Sequence, residues 1–315
     1  MIINDVCVLG GSGFVGRHIC HRLVERGYRV RVPTRDRERA KELILLPTAE
    51  VITADVHDPE TLKRLVRGCD AVVNLVGVLN GGRGKGSFRE AHVELARQVV
   101  DACRQRGVRR LLHMSALGAD PKGPSEYLRT KGEAETIVRE SGLDFTIFRP
   151  SVIFGREDHF LNMFATLNRL LPVIVLGSPE AKFQPIYVED VAHVYVGSLP
   201  RHESFGVAYD LAGPKVYTLR ELVEYVGKAT GHSRPIIGLG RGLSYLQAAS
   251  MELLPVKLLT RDNVRSMTVE NVSKALLPFG IVPTPLEAAA PMWLARRTPR
   301  DRYNLFRDRS RTAVK

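Results

Sequence analysis

The chain has 315 residues, 44% hydrophobic and 25% charged, and a net charge of +12 from 46 basic and 34 acidic side chains. That length can bury a full core, and the composition excludes a disordered or fibrous protein. No apolar run approaches the roughly 18 residues that a membrane-crossing helix needs.

The first predicted strand is the apolar run Val6–Leu9, close behind Met1, which leaves no room for a signal peptide. Cys7, Cys20, Cys69 and Cys103 form no CxxC pair, so a reducing, cytoplasmic setting is expected and zinc is not. The run breaks into Gly10-Gly11-Ser12-Gly13 and then a helical pattern with Val15, Ile19 and Leu23 on one stripe. Strand, glycine turn and helix are the layout of a dinucleotide-binding βαβ unit. Gly10 can take the tight turn, Gly13 lets the main chain approach a pyrophosphate, and Gly16 lets the helix pack close to the strand. The candidate cradle is therefore Gly10, Ser12, Gly13, Phe14, Val15, Gly16 and Arg17, with phosphates at the positive end of the helix.

Residues 29–34 read as the second strand. An acid near its end would bind the ribose 2′-hydroxyl of NAD, but the strand runs into Arg35 before Asp36. Arg35, with Arg17, is set to meet a 2′-phosphate, so NADP(H) is expected. The alternative is NAD(H) held by Asp36, with both arginines as surface charges. Residues 50–54 form a third strand, followed by Asp55 and Val56 where an adenine ring would lie. Asp58-Pro59 is a helix start. Residues 71–76 read as a buried parallel strand leading to Gly77, where backbone can pass near a ribose. The glycine-rich, basic stretch 81–86 does not match a P-loop and reads as a mobile loop beside the site.

Phe88, Ala91, Leu95, Val99 and Ala102 mark a long amphipathic helix, and residues 108–115 a fifth strand ending in Ser115. Tyr127 and Lys131 follow at helical spacing, on one face. A nearby ammonium would lower the phenol's pKa so that Tyr127 acts as acid or base in hydride transfer, with Ser115 holding the substrate oxygen. Further strands are expected at 143–148, before Arg149-Pro150, and at 209–212. A strand leading into a helix is read in 184–191, and a helix over 219–230. Leu243, Leu246, Ala249, Leu253 and Leu254 suggest an amphipathic helix interrupted by Pro255. It would cover the core, or dock on a membrane or partner. His18 and His21 share a helix face without a carboxylate or cysteine at ligand spacing, so no metal is expected. Residues 296–315 hold eight basic and two acidic side chains, half of the net charge. Such a tail suits anionic lipid at the inner face of the cytoplasmic membrane, or an acidic partner. Nucleic acid is the least favoured partner, because no binding module accompanies the charge.

Taken together, Gly10-x-x-Gly13-x-x-Gly16, Asp55-Val56, Ser115, Tyr127-x-x-x-Lys131, Arg149-Pro150 and Tyr187-Val188-x-Asp190-Val191 resemble the extended, atypical short-chain dehydrogenase/reductases. The strings at 127–131, 150–158, 259–264 and 280–284 are similar to the NADPH-binding accessory subunit of respiratory complex I and its bacterial relatives. The resemblance implies an α/β, Rossmann-type doubly wound sheet of about seven parallel strands with a small C-terminal α/β subdomain. The cofactor-binding core would span 1–150, and a mixed core-completing and substrate or partner region 151–295, before the basic tail 296–315. It also implies NADPH held by Gly10, Gly13, Gly16, Arg17, Arg35 and Lys131, and Gly77 and Pro150 complete the expected cofactor site. Two functions fit it. One is hydride transfer to a quinone precursor or lipid-like carbonyl, and the other a cofactor-bound module of the respiratory chain or quinone pathway without turnover. An NAD-dependent sugar-nucleotide epimerase or dehydratase is the alternative.

Overall fold

The computed structural model describes residues 2–82, 86–252 and 258–295. The expected tail at 296–315, the middle of the glycine-rich loop at 83–85, and Leu253, Leu254 and Pro255 lie outside the described residues.

The strands are β1 (Asp5–Leu9), β2 (Arg29–Thr34), β3 (Ala49–Thr53), β4 (Ala71–Asn74), β5 (Arg110–Met114), β6 (Asp144–Pro150), β7 (Ile153–Phe154), β8 (Ile174–Gly177), β9 (Lys182–Phe183), β10 (Ile186–Tyr187), β11 (Val207–Leu211), β12 (Tyr217–Thr218) and β13 (Ile236–Leu239). The helices are α1 (Phe14–Glu25), α2 (Lys41–Ile44), α3 (Pro59–Val66), α4 (Leu95–Arg106), α5 (Glu126–Arg139), α6 (His159–Leu170), α7 (Val188–Ser198), α8 (Leu219–Thr230), α9 (Arg241–Met251), α10 (Arg261–Ser266), α11 (Leu286–Ala289) and α12 (Pro291–Leu294).

Seven strands form one parallel sheet in the order β11-β6-β5-β4-β1-β2-β3. Its central strands β1, β4 and β5 are almost wholly buried and mostly apolar because both faces are covered. Val6 and Val8 of β1 pack with Ile19 and Leu23 of α1 and with Val191 and Tyr195 of α7. Cys7 and Leu9 point the other way, among Leu62 and Leu65 of α3 and Leu95 and Val99 of α4. α7 packs on α1 and β11 extends the sheet beyond β6, so chain beyond residue 150 completes the core. A third cluster, including Phe154, Phe164, Leu222, Val226 and Leu294, builds a separate C-terminal core with three two-stranded sheets.

Local signals explain several helix starts. Asp58 caps α3 by accepting from the Thr61 N–H, with Pro59 in the first turn. Thr218 and Glu221 form a capping box on α8. Two expectations need correction. The helix predicted from Phe88 opens as a π-helical turn, Arg89–Glu94, before α4. In α9, Leu243 and Leu246 are 59% and 66% exposed, whereas Ser244 and Ala248 are buried. Close approach decides this. A Cβ on Gly177 would lie 3.4 Å from the Ser244 Cβ, and the Ser244 Oγ accepts from the Ser178 N–H at 3.0 Å. Leucine does not fit on that face.

Candidate active site

The strand order reverses between β1 and β4, so the loops leaving them diverge into a crevice at the carboxyl end of the sheet. Gly10 turns there with φ +80°, and a Cβ on it would lie 3.3 Å from the Leu75 carbonyl carbon. The two loops therefore touch backbone to backbone. The Gly13 N–H donates to the Gly10 carbonyl at 3.0 Å. A Cβ on Gly16 would stand 2.3 Å from the Gly10 oxygen, so only glycine lets α1 seat against the turn. α1 has no side-chain cap and no acid in its first turn. Its positive end and unshared N–H groups are thus left for an anion, and the residues present fit a pyrophosphate.

The other expected cofactor residues fall in varied positions. Ser12 meets Thr34, oxygen to oxygen, at 3.2 Å. Phe14 packs against His18 with ring centroids 5.7 Å apart and lies where a Cβ on Gly155 would touch it, and Val15 joins the core. Arg17 is ion-paired with Glu157, so its expected place at a 2′-phosphate is not the one it takes here. Arg35 is exposed just past β2, while Asp36 is engaged by Arg39 at 3.3 Å and by the Glu38 N–H at 3.0 Å. Asp55 accepts from the His57 N–H at 3.0 Å, and half-buried Val56 packs on the sheet. Pro150 ends β6, and its carbonyl accepts from the Leu117 N–H at 3.1 Å.

Ser115 and Lys131 come together at the end of β5, and Tyr127 lies one turn before Lys131 on α5. Lys131 Nζ donates to the Met114 carbonyl at 3.0 Å, one residue before Ser115. A Cβ on Gly77 would lie 3.1 Å from the same Nζ, so Lys131 also borders the loop after β4. α5 starts because the buried Ser125 accepts from the Leu128 N–H at 3.2 Å. That start sets Tyr127 and Lys131 one turn apart. The Tyr127 ring packs edge-on against Phe88 and His92, with centroids 5.9 and 5.6 Å away. The buried Ser115 hydroxyl lies near enough to Glu135 to help keep it ionised, yet makes no hydrogen bond of normal geometry among the described residues. A buried, unpaired hydroxyl at a crevice is a place for a ligand oxygen.

The electrostatics correct one expectation. Burial pushes the Tyr127 phenol up to about 12, and Lys131 does not bring it down. Burial also pulls Lys131 down to about 8, partly offset by Glu135. Burial would raise Glu135, but hydrogen bonds from Arg149 at 2.7 and 2.5 Å hold it below the ordinary carboxylate range.

Three participants were not singled out from the sequence. His92 sits in the π-helical turn, its Nε2 accepting from the Val78 N–H at 3.1 Å and its Nδ1 meeting the Thr130 hydroxyl at 2.9 Å. Since Thr130 donates onward to the Glu126 and Tyr127 carbonyls, His92 is the neutral Nδ1–H tautomer. Burial, with Lys131 nearby, pulls its pKa to about 2. Glu135 could have been found from its spacing of four beyond Lys131. Asp262, from α10, accepts from the N–H groups of Glu126 and Tyr127, and only the tertiary fold brings it there. Among the described residues no cluster of His, Cys, Asp or Glu suits a metal, and no helix is long and apolar enough to cross a membrane.

A glycine cradle at the switch point beside a Ser–Tyr–Lys group defines a nucleotide-cofactor protein of the short-chain dehydrogenase/reductase kind. A family model described as NAD(P)H-binding matches residues 10–199, and the chain belongs to that family, among its extended members. It is 32% identical over 300 residues to the mitochondrial NADH dehydrogenase (ubiquinone) 1 alpha subcomplex subunit 9 of Mus musculus, covering 89% of this chain and 77% of that one. It is 31% identical over 188 residues to a ceramide reductase of Caulobacter vibrioides, covering 59% and 58%. With a 2-alkyl-3-oxoalkanoate reductase of Stenotrophomonas maltophilia it shares 29% over 255 residues, 73% and 76% of the two chains. Among solved structures, gox2253 superposes with a TM-score of 0.72 at 24% identity, over 92% of this chain and 97% of that one. A dTDP-glucose 4,6-dehydratase from Streptomyces venezuelae with bound NAD reaches 0.66 at 22%, over 75% and 85%. These two show the fold alone.

Proposed function

We propose that the protein is an NADP(H)-dependent reductase of a lipid-like or quinone-precursor carbonyl. The observation that carries this reading is the buried Ser115 hydroxyl, without a hydrogen bond of normal geometry among the described residues, next to the Met114 carbonyl that holds Lys131. When bound, the nicotinamide supplies the hydride. Ser115 donates a hydrogen bond to the carbonyl oxygen, and Tyr127 gives that oxygen its proton. A phenol held near 12 is protonated at neutral pH, which suits reduction better than oxidation. The half-buried Tyr127 ring sits in an aromatic cluster with Phe88 and His92, surroundings that suit a substrate with an alkyl chain. Two relatives with reductase names, ceramide reductase and 2-alkyl-3-oxoalkanoate reductase, support that substrate class.

The likeness to the complex I subunit favours a second reading, a cofactor-bound module of the respiratory chain or quinone pathway that does not turn over. In that role NADPH stabilises the native state by binding it alone, and the basic segment 296–315 meets a partner or an anionic membrane surface. One experiment separates the two. The purified protein is mixed with NADPH and a long-chain 3-oxoacyl ester or a quinone-pathway extract, and nicotinamide absorbance is followed. Oxidation that Tyr127→Phe abolishes, with NADPH still bound, supports the reductase. Bound NADPH that is never oxidised supports the module.

A further inference from the structure

We infer that Asp262 is the positioning residue that fixes Tyr127 in the crevice, through a clasp formed by α10. The inference rests on the reading of Tyr127 as proton donor. Tyr127 is the second residue of α5, and the first N–H groups of a helix have no partner within it. Ser125 reaches only the Leu128 N–H. The Asp262 carboxylate takes two that remain, accepting from the Glu126 N–H at 2.7 Å and the Tyr127 N–H at 3.1 Å. A carboxylate there also meets the positive end of α5.

The clasp has further points of grip. The Ser266 and Ser125 hydroxyls meet at 2.8 Å, and Asn263 Nδ2 donates to the Leu79 carbonyl at 3.4 Å. One short helix therefore touches both the start of α5 and the loop after β4. α10 is braced in turn. Thr260 and Asn263 form a capping box, and Glu252, at the end of α9, accepts from the Arg261 N–H at 2.7 Å and its Nε at 2.9 Å. A helix that needed only a start signal would have one in Ser125. A carboxylate more than 130 residues along the chain instead makes the geometry of the proton donor depend on the seating of the C-terminal subdomain.

The test compares Asp262→Ala and Asp262→Asn with the parent, using NADPH and a long-chain 3-oxoacyl methyl ester. Asp262→Ala is expected to lower kcat by about tenfold or more, with KM and the NADPH Kd changed by no more than about threefold. Asp262→Asn, which keeps an acceptor oxygen, restores most of the rate. The tyrosinate absorbance lost in Tyr127→Phe isolates the Tyr127 phenol, and in Asp262→Ala its titration moves from about 12 toward its ordinary 10 as the ring loses its packing. If Asp262→Ala does not fold, hydrogen exchange in Asp262→Leu, which keeps the bulk without an acceptor oxygen, decides. The amides of Glu126 and Tyr127 must exchange several-fold faster than in the parent while those of 132–139 do not. An Asp262→Ala protein with unchanged kcat and unchanged phenol titration overturns the inference. Absence of turnover in the parent sinks the reductase reading alone, and the phenol titration still decides the role of Asp262.

Discussion

Burying the Lys131 ammonium costs hydration that the Met114 carbonyl and the Glu135 carboxylate return only in part, so its proton leaves near pH 8 and not 10.5. Between these values the unfolded chain binds more protons than the folded one, and stability rises with pH. The cost is fully present below pH 8 and relieved toward 10.5. Lys131→Met removes this contribution. From about pH 8 to about 9.5, parent stability is expected to gain on the variant by on the order of 2 kcal/mol, read from urea midpoints. Parallel profiles would show that the ammonium is hydrated. For the cofactor, Arg35→Ala is expected to weaken NADPH by about tenfold or more and NADH little, since a charge-assisted contact to the 2′-phosphate is lost. Equal weakening by fluorescence titration would overturn the NADP(H) preference. Ser115, Tyr127 and Lys131 were legible from chain order and helical spacing. The sign of the Tyr127 shift was not, because it is set by burial, which follows from packing against Phe88 and His92.

At the scale of elements, the glycine turn joins β1 to α1 through two different constraints. A Cβ on Gly16 would overlap the Gly10 oxygen at 2.3 Å, so Gly16→Ala is expected to cost about 3 kcal/mol of stability. A Cβ on Gly13 would lie 3.2 Å from the same oxygen, and its φ of −77° suits any residue. Gly13→Ala should therefore keep the fold within about 1 kcal/mol and still lose NADPH affinity, because the methyl group fills the phosphate approach. Paired thermal melts and NADPH titrations check this. Equal effects on both properties would deny the division of labour. The turn, α3 and α8 could be read from glycine spacing and capping residues. The π-helical turn could not, because the bonds of His92 to Val78 and Thr130 come from other elements. The buried face of α9 could not either, because contact with Gly177 selects serine over leucine.

For the whole molecule, two cores meet through the clasp at α10 and through Asp190, which accepts from the Thr284 N–H at 2.7 Å. Half of the net charge lies in residues 296–315. Removing them is expected to abolish binding to vesicles rich in phosphatidylserine while NADPH affinity stays unchanged, and sedimentation at low and high salt measures it. Unchanged vesicle binding would move the contact elsewhere. The linear order of residues by itself determined the alternation of strand and helix, the glycine cradle and the Tyr–Lys pair, because these depend on spacing within one element. The tertiary structure alone decided which charges pair across long separations, as Arg17 does with Glu157, and which apolar faces stay outside. It also brought Asp262 to the helix that carries Tyr127. Such contacts depend on how the sheet and subdomain pack, and no local spacing encodes them.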